Sequence, residues 1–356
     1  MFFIIQLVSM SKKTTIYDIA KELNITAATV SRALNNNPKI SDTTRELVLK
    51  TASKMNYEQN KLAQALKSGK SYNVGVIVPR IDSNFFGSTI RGIEEELNPY
   101  GYHVIICQTH EDPQRESENI ETLLNAQVDG ILVSTTSNSK KESFQSILKK
   151  NIPLIFFDRR KDMNGVSAVI INDFEGSYNA TKHLIDQGCS RIAHLAGDFN
   201  LEIFRERYNG YKQALIDHGI DINEDYVIKT KSNRHEGIKA TKALLKLQPP
   251  PDAIFSSGDF AALGAIQELR KQKIKIPEDF CVVGFSNEPF TKFMELPIST
   301  VNQSPLAMGK MAAKVFLEQT TNSDNIKMEK KVVLQPELIV RKSSLKIGVP
   351  VTKEQD

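Results

Sequence analysis

From Tyr72 onward, short apolar runs alternate with amphipathic segments, and this alternation constrains the fold more than any other feature of the chain. Short apolar runs bounded by polar turns are typical of buried strands, and the intervening segments carry apolar residues at helical spacing. The alternation predicts a parallel sheet with helices on both faces. The expected strands are 74–78, 104–108, 130–134, 154–158 and 168–171, and the expected helices are 86–97, 114–126 and 142–150.

The same alternation begins again at Gly176 and continues to Phe285. Two similar α/β halves in series predict two lobes with a cleft between them, where the carboxyl ends of parallel strands bind ligands. The expected elements are helices 176–187, 204–218, 236–247 and 261–271, and strands 191–196, 226–230, 253–256 and 281–285. A helix at 306–319 and a hairpin-like pair of strands, 331–334 and 337–341, are expected to follow.

Near the N-terminus, Thr15–Asn35 predicts two short helices joined by a tight turn. Thr15 and Asp18 have the spacing of a capping box, and apolar residues follow at helical spacing. Asn24 tolerates the left-handed conformation that ends helices, and Thr26 can cap the second helix.

The second of these helices divides into two faces. Val30, Ala33 and Leu34 form an apolar stripe, and small polar residues with one arginine, Arg32, occupy the opposite face. A short helix of this composition suits insertion into a DNA major groove. The alternative is a helical hairpin that caps a larger domain and binds nothing.

A third helix is expected from Ser41 to Tyr57, with Leu47, Val48 and Met55 directed inward. The basic segment that follows, to Ser71, is expected to act as a linker. Two helical turns within it are too short to persist in water without a partner.

Several spaced motifs together resemble the DNA-binding head of the LacI/GalR family of bacterial repressors, and the resemblance continues through the rest of the chain. The matching positions are Tyr17–Ala20, Thr29–Asn35, Ile40–Arg45, Asn56–Tyr57, Asn60–Ala63 and Leu66. The resemblance implies an N-terminal all-α helix-turn-helix head and a two-lobed α/β body like the periplasmic binding proteins. It also implies three crossings between the lobes, which we expect near residues 171–173, 299–302 and 324–330.

The expected domains follow from these features. They are a DNA-binding domain at 10–57, a hinge helix and linker at 58–71, a first lobe at 72–171 with 301–325, a second lobe at 172–300 with 326–345, and a tail at 346–356. Residues 1–9 form an apolar run far shorter than the ~20 residues that span a bilayer, and they lack signal-peptide features. We expect them to derive from an upstream start assignment and to be disordered or absent in the cell.

The distribution of charge indicates the kind of partner that the chain binds, and the cysteines indicate the cellular compartment in which it acts. The net charge is +4, and residues 1–71 hold eleven Lys and Arg against five Asp and Glu. A basic head on a near-neutral body fits a polyanionic partner for the head alone. Cys107, Cys189 and Cys281 lie far apart and form no zinc-ligand pattern, which favours a reducing cytoplasm.

The DNA-binding residues are expected on and around the second helix. Arg32 can donate two hydrogen bonds to a guanine, or it can bind phosphate without specifying sequence. Ala27 and Ala28 occupy positions that distinguish operators within the family, but alanine can only touch a thymine methyl group, so weak selection is expected there. The full expected set in the head is Thr15, Tyr17, Thr26, Ala27, Ala28, Thr29, Ser31, Arg32, Asn35 and Thr44, of which the resemblance assigns phosphate contacts to Tyr17, Thr26, Ser31 and Thr44.

The hinge is expected to contribute Asn60, Ala63, Leu66 and Lys67 to the same interface. In the family, the leucine matching Leu66 enters the minor groove from each subunit and kinks the centre of a palindromic site. The alternative is that Leu66 packs on the body. The cost of ordering the hinge would be returned by the bent DNA.

The resemblance places a small-molecule effector in the interlobe cleft. The candidate contacts are Phe85, Phe86, Asp158, Arg159, Arg207, Phe255 and Ser286. Many members have Asp where this chain has Ser286, and the purine-responsive member has polar residues in place of Leu201 and Ile203, which argues against a purine. The alternatives are that Phe85 and Phe255 are core residues and that Asp158 forms an ion pair with Arg159 or Arg207.

The sequence contains none of the phosphate-loop, metalloprotease or nucleophile motifs of enzymes. We therefore expect a transcriptional regulator that is not an enzyme and needs no metal or cofactor. It should act in the cytoplasm on nucleoid DNA, as a homodimer on a double-stranded operator, without a membrane, under the control of a sugar or sugar derivative. The alternatives are a sugar-binding transport protein and a regulator controlled by a protein partner.

Overall fold

The computed structural model describes residues 14–57, 69–321 and 329–346, which form parts of two compact units divided between Ser71 and Tyr72. The expected extension at 1–9, the hinge residues Asn60, Ala63, Leu66 and Lys67, and the tail beyond residue 346 lie outside the described residues. No helix in these described ranges is long and apolar enough to cross a membrane.

The head contains three helices, α1 (Ile16–Glu22), α2 (Ala27–Leu34) and α3 (Asp42–Lys54). The capping box at α1 is confirmed, because the Asp18 carboxylate accepts hydrogen bonds from the Thr15 backbone N–H at 2.8 Å and from its hydroxyl at 2.7 Å. Asn24 has a φ of 49°, as expected for the turn between α1 and α2. The core of the head consists of Ile19, Ala20, Val30, Ala33, Val48 and Ala52.

Helix α3 differs from its prediction in two respects. It ends at Lys54 rather than Tyr57, because Asn56 takes a left-handed φ of 49° and the Tyr57 N–H donates back to Ala52 O at 2.9 Å. The expectation that Leu47 points inward is wrong, since its side chain is 50% exposed. The buried face of α3 consists of Val48, Thr51 and Ala52, which have helical spacing. Leu47 lies to one side of this face.

The first lobe of the body is built on a six-stranded parallel sheet in the order β11-β5-β4-β3-β1-β2. Its strands are β1 (Asn73–Val78), β2 (His103–Gln108), β3 (Gly130–Val133), β4 (Leu154–Phe157), β5 (Ser167–Ile171) and β11 (Lys331–Leu334). Its helices are α4 (Asn84–Leu97), α5 (Pro113–Asn125), α6 (Lys141–Lys149) and α12 (Pro305–Thr321). Helices α4 and α12 cover one face, and α5 and α6 cover the other.

The second lobe repeats this plan in a sheet of order β12-β10-β9-β8-β6-β7, in which β12 alone runs antiparallel to its neighbour. Its strands are β6 (Ile192–Ala196), β7 (Val227–Lys229), β8 (Ala253–Ser256), β9 (Cys281–Phe285), β10 (Ser299–Asn302) and β12 (Glu337–Ile339). Its helices are α7 (Asp173–Asp186), α8 (Glu202–Asp217), α9 (Arg234–Leu244), α10 (Asp259–Lys271) and the short α11 (Phe290–Phe293).

The expected hairpin of strands 331–334 and 337–341 is wrong. Strand β11 pairs in parallel with β5 of the first sheet, and β12 pairs with β10 of the second. Strand β11 covers one edge of the first sheet, and β12 covers one edge of the second. Each of them pairs with backbone groups that would otherwise be open at that edge. The chain therefore passes between lobes at Asn172, at 303–304 and at 335–336, so the predicted third crossing at 324–330 and the assignment of 331–334 to the second lobe are also wrong.

Candidate nucleic-acid interface and ligand cleft

The two faces predicted for α2 are confirmed by burial. Val30 and Ala33 have no exposed surface, whereas Ala28, Arg32 and Asn35 are exposed. The Thr26 hydroxyl accepts from the Thr29 N–H at 3.1 Å and caps the helix. Helix α2 therefore presents a stable polar face on which Arg32 is the one long cation.

The other candidate DNA-binding residues of the head differ in how much of each side chain is exposed. Tyr17 is 72% exposed, and Thr15 is also exposed. Thr44 is half-buried and its hydroxyl pairs with that of Ser41 at 2.8 Å. The half-buried residues of α2 are Ala27, Thr29 and Ser31, and Ala27 packs against the head core, so that it offers less surface to a base than Ala28 does.

In the body, the predicted residue Arg207 lies at the centre of a buried polar network. Its Nε donates to Asp173 Oδ1 at 2.7 Å, its Nη1 to Ser257 O at 2.9 Å and its Nη2 to Gln303 Oε1 at 3.2 Å. Its guanidinium carbon lies 3.7 Å from the centre of the Phe285 ring. Burial raises the pKa of Asp173 to about 6, against the opposing effect of Arg207.

This network reaches two of the interlobe crossings. Asp173 begins α7 directly after the crossing at Asn172, and Gln303 lies in the second crossing. Gln303 also donates to Ser286 Oγ at 2.8 Å, so the structure joins the predicted residues Ser286 and Arg207 through a residue that the sequence did not indicate. Asp173 and Gln303 were missed because nothing in their local sequence marks them as partners of Arg207.

Asp158 and Arg159 lie at the carboxyl end of β4, on the first lobe. Asp158 is buried with a left-handed φ of 59°, and its Oδ2 accepts from Ser134 Oγ at 3.0 Å. Burial raises its pKa, against the positive charges of Arg159 and Arg207. Arg159 forms its ion pair with Glu111, at 2.7 Å, and its Nε lies 3.7 Å from Asp158.

The aromatic candidates are packed in cores. Phe85 and Phe86 lie in the first turn of α4, meet edge to face with ring centres 5.1 Å apart, and belong to the core of the first lobe. Phe255 has no exposed surface and stacks on His194 at 4.9 Å within the second lobe. Phe255 packs in a core with residues of α7 and α8, and its contact with a ligand stays a prediction.

No group of three or more potential metal ligands occurs among residues 14–57, 69–321 and 329–346. The arrangement instead combines buried charges with hydrogen-bonding groups at the carboxyl ends of two facing sheets, which is a geometry for binding a polar ligand.

Comparison with known proteins agrees with this division into head and body. Residues 15–60 match the bacterial regulatory proteins of the lacI family, and residues 71–335 match the periplasmic binding proteins and sugar binding domain of the LacI family. The HTH-type transcriptional regulator DegA of Bacillus subtilis is 34% identical over 334 residues, which cover 93% of this chain and 98% of DegA. The repressor PurR of Haemophilus influenzae (strain PittEE) is 30% identical over 330 residues, covering 92% of this chain and 98% of PurR.

Solved structures show the same fold. The CelR–cellobiose complex is 25% identical with a TM-score of 0.71, covering 93% of this chain and 100% of that one. The lac repressor dimer bound to operator and the anti-inducer ONPF has a TM-score of 0.83 at 22% identity, covering 94% and 99%. A sugar-binding transport protein would leave the match of residues 15–60 unexplained. The chain therefore belongs to the LacI family of bacterial transcriptional regulators, with a DNA-binding head and an effector-binding body, and it is not an enzyme.

Proposed function

We propose that this regulator represses transcription by binding a pseudo-palindromic operator as a homodimer, and that a small sugar-like molecule in the interlobe cleft changes its operator affinity. The proposal depends above all on the network around Arg207. A ligand that contacts this network would act on side chains held by both Asp173 and Gln303, which lie beside two crossings between the lobes. Ligand binding and lobe geometry would then be coupled.

At the operator, Arg32 would donate to a guanine in the major groove. Tyr17, Thr26, Ser31 and Thr44 would bind phosphates, and Leu66 of the hinge would enter the minor groove. The exposed aromatic ring of Tyr17 and the unburied guanidinium of Arg32 support these roles, because both can reach a duplex without rearrangement of the head. The proposed place of action is the cytoplasm.

An exposed aromatic patch on the second lobe supports a homodimer. Phe293 is 80% exposed and Phe260 is 46% exposed, and the Phe260 ring lies 4.9 Å from that of Phe290. Exposed aromatic clusters mark association surfaces. The occupant we propose is a second copy of the chain, because two half-sites of an operator need two heads held by one assembly.

The proposed ligand class follows from the groups that line the cleft and from the known relatives. Buried charged residues and hydroxyls at the carboxyl ends of the strands suit a hydroxylated ligand. CelR is solved with cellobiose, and a LacI-family regulator from Enterococcus faecium, 26% identical with a TM-score of 0.68, is solved with ribose. Control by a protein partner remains the second candidate, and a ligand screen distinguishes the two.

The test uses the full chain. Operators are first selected from random duplexes, and operator affinity is then measured with and without each member of a sugar library. We expect at least one compound to bind and to change operator affinity, and the operator to change the affinity for that compound by the same factor. A chain that selects no sequence would overturn the operator proposal. A ligand that binds without any effect on operator affinity would overturn the switch.

A further inference from the structure

The first lobe holds a group of buried polar atoms without partners at the carboxyl ends of β2, β3 and β4. Thr109 directly follows β2, Thr135 lies just beyond β3, and Arg159 lies just beyond β4. Among the described residues of the body, the buried side-chain polar atoms without a hydrogen-bond partner are Thr109 Oγ1, Glu116 Oε1, Thr135 Oγ1 and Arg159 Nε. We call these four residues the first-lobe polar cluster.

Direct contacts join the members of this cluster. Glu116 Oε2 accepts from the Thr136 N–H at 3.0 Å, so the carboxylate lies beside the peptide bond that follows Thr135. The Thr135 N–H donates to Arg159 O at 3.3 Å. Thr109 O accepts at 3.1 Å from the backbone N–H of the residue that caps α5, and Glu116 lies in the first turn of the same helix. The four unpaired atoms therefore belong to one region of the lobe.

The cluster lies on the first-lobe side of the cleft, because ligands of open parallel sheets bind at the carboxyl ends of the strands. Thr109, Glu116 and Thr135 have no exposed surface. The side chains of Arg159 and Glu111, which form an ion pair, are 14% and 39% exposed, so solvent lies on the side of this pair. The sequence indicated Arg159 as a ligand contact, but it did not indicate the three buried residues.

The charges around the cluster leave no surplus cation for an anionic ligand. Arg159 Nη1 donates to both carboxylate oxygens of Glu111, at 2.7 and 3.0 Å, and Asp158 Oδ2 lies 3.7 Å from Arg159 Nε. The pKa of Glu116 is raised chiefly by burial, and its hydrogen bonds and the positive charge of Lys161 oppose this rise. Three carboxylates therefore stand against one paired guanidinium and one lysine.

The unpaired atoms require a ligand group that both donates and accepts hydrogen bonds. Arg159 Nε can only donate, Glu116 Oε1 accepts when the carboxyl is ionised, and the two threonine hydroxyls can do either. A carboxylate or phosphate would pair with Arg159 but not with ionised Glu116, and an ammonium group would pair with Glu116 but not with Arg159. Hydroxyl groups pair with both, in either protonation state of Glu116.

We propose that the effector places a pair of adjacent, uncharged hydroxyl groups in the first-lobe polar cluster, and that Thr109, Glu116 and Thr135 are ligand-binding residues. Arg159 completes the site. This proposal rests on the proposed function, because it names further residues and the ligand groups for the same cleft. Buried polar atoms without partners destabilise a protein, and a ligand that supplies the partners removes this cost. The same atoms therefore weaken the ligand-free fold and strengthen ligand binding.

Two conservative variants test the ligand-free protein first. Thr109→Val and Thr135→Val each replace an unpaired hydroxyl with a methyl group of similar size. We expect each to raise the Tm of the full-length protein by about 2–4 °C, since a buried unsatisfied atom is removed. Thr241→Val in α9, whose buried hydroxyl donates to Gly237 O at 2.8 Å, is the matched control and should lower the Tm. An unchanged or lower Tm in both test variants would show that these hydroxyls already have partners, and it would overturn the proposal.

Calorimetry then tests the ligand groups. The probes are neutral aldopentoses, aldohexoses and their alditols, each beside its monodeoxy and amino-deoxy counterparts. For a sugar that binds, we expect the monodeoxy and amino-deoxy counterparts at one carbon to bind about three- to tenfold more weakly than the parent compound. That difference should vanish in Thr109→Val or Thr135→Val, because the variant has lost the partner of the same hydroxyl, and it should persist in Thr241→Val.

Failure of this inference and failure of the proposed function give different results. If neutral sugars bind and change operator affinity, but every difference persists in both Thr109→Val and Thr135→Val, the proposed function stands and the cluster is not the site. If an amino-deoxy counterpart binds more tightly than its parent at that carbon, the uncharged hydroxyl pair is wrong. If no compound binds or changes operator affinity, both fail.

Discussion

Two adjacent buried carboxylates, Asp259 and Glu288, make the stability of the second lobe depend on pH. Asp259 Oδ1 accepts from Thr300 Oγ1 at 2.7 Å, and Oδ2 accepts from the Glu288 N–H at 2.8 Å. Burial raises the pKa of Asp259 to about 6. Burial, followed by the charge of Asp259, raises the pKa of Glu288 to about 7. Both groups therefore hold their protons more tightly in the folded chain than in the unfolded one.

Glu288→Gln tests this pH dependence. The Glu288 carboxyl destabilises the folded state progressively as pH rises from its ordinary pKa of 4.5 through about 7, because ionisation becomes costly in the folded protein. We expect the variant to gain about 1–3 kcal/mol in free energy of unfolding at pH 8 and much less at pH 5, measured by urea denaturation. Glu295→Gln, on an exposed carboxylate paired with Arg270, is the matched control and should show no such difference. An equal gain at both pH values would contradict the assignment.

Arg32→Ala tests the proposed contact between this single side chain and a base. Loss of a bidentate contact to guanine costs about 1–3 kcal/mol and relaxes the preference at one base pair of each half-site. The measurement is competition binding with operators substituted one base pair at a time. Uniform weakening on every sequence would instead assign Arg32 to phosphate.

Among the elements, close helix pairs depend on glycine at the point of contact. Helices α4 and α12 approach so closely that a Cβ at Gly309 would lie 2.0 Å from Thr89 O, and one at Gly92 would lie 2.2 Å from Leu306 O. Both obstacles are backbone atoms, which cannot move away as a flexible side chain can. This contact fixes α12, which follows the second crossing, against the first lobe.

Gly309→Ala should therefore destabilise the body by about 2–4 kcal/mol, since the helices must separate to admit the methyl group. Gly87→Ala, in the same helix pair, is the matched control. Nothing lies within 4 Å of its added Cβ, and the better helix propensity of alanine should stabilise the protein by up to ~1 kcal/mol. Urea denaturation measures both. If Gly309→Ala is as stable as the parent, the close contact does not limit the packing of α12.

Across the whole molecule, one ion pair joins the two lobes directly, between Arg160 in the loop after β4 and Glu202 at the start of α8. We expect Arg160→Glu to weaken effector binding at least about tenfold, because it places two carboxylates together. The double exchange Arg160→Glu with Glu202→Arg should restore most of the affinity, which calorimetry with the effector measures. A double variant as weak as the single one would show that the pair does not support closure.

The sequence by itself determined the elements and the class of protein. The capping box at Thr15, the two faces of α2 and the alternation of strands with helices are local patterns, which depend on residues within a few turns of each other. Those patterns were sufficient to predict the helical head and two lobes, each with a parallel sheet, with a cleft between them.

Only the tertiary structure decided the partners that lie far apart in the chain. Arg207 forms hydrogen bonds with Asp173 and Gln303, which lie 34 and 96 residues away in the chain. Strand β11 pairs with β5 rather than with β12, the next strand in the sequence. The tertiary structure also decided that Phe255 lies in the core of the second lobe. The physical reason is that strand order and lobe contact are set by burial of whole faces and sheet edges, and local periodicity carries no information about which distant edge or side chain completes them.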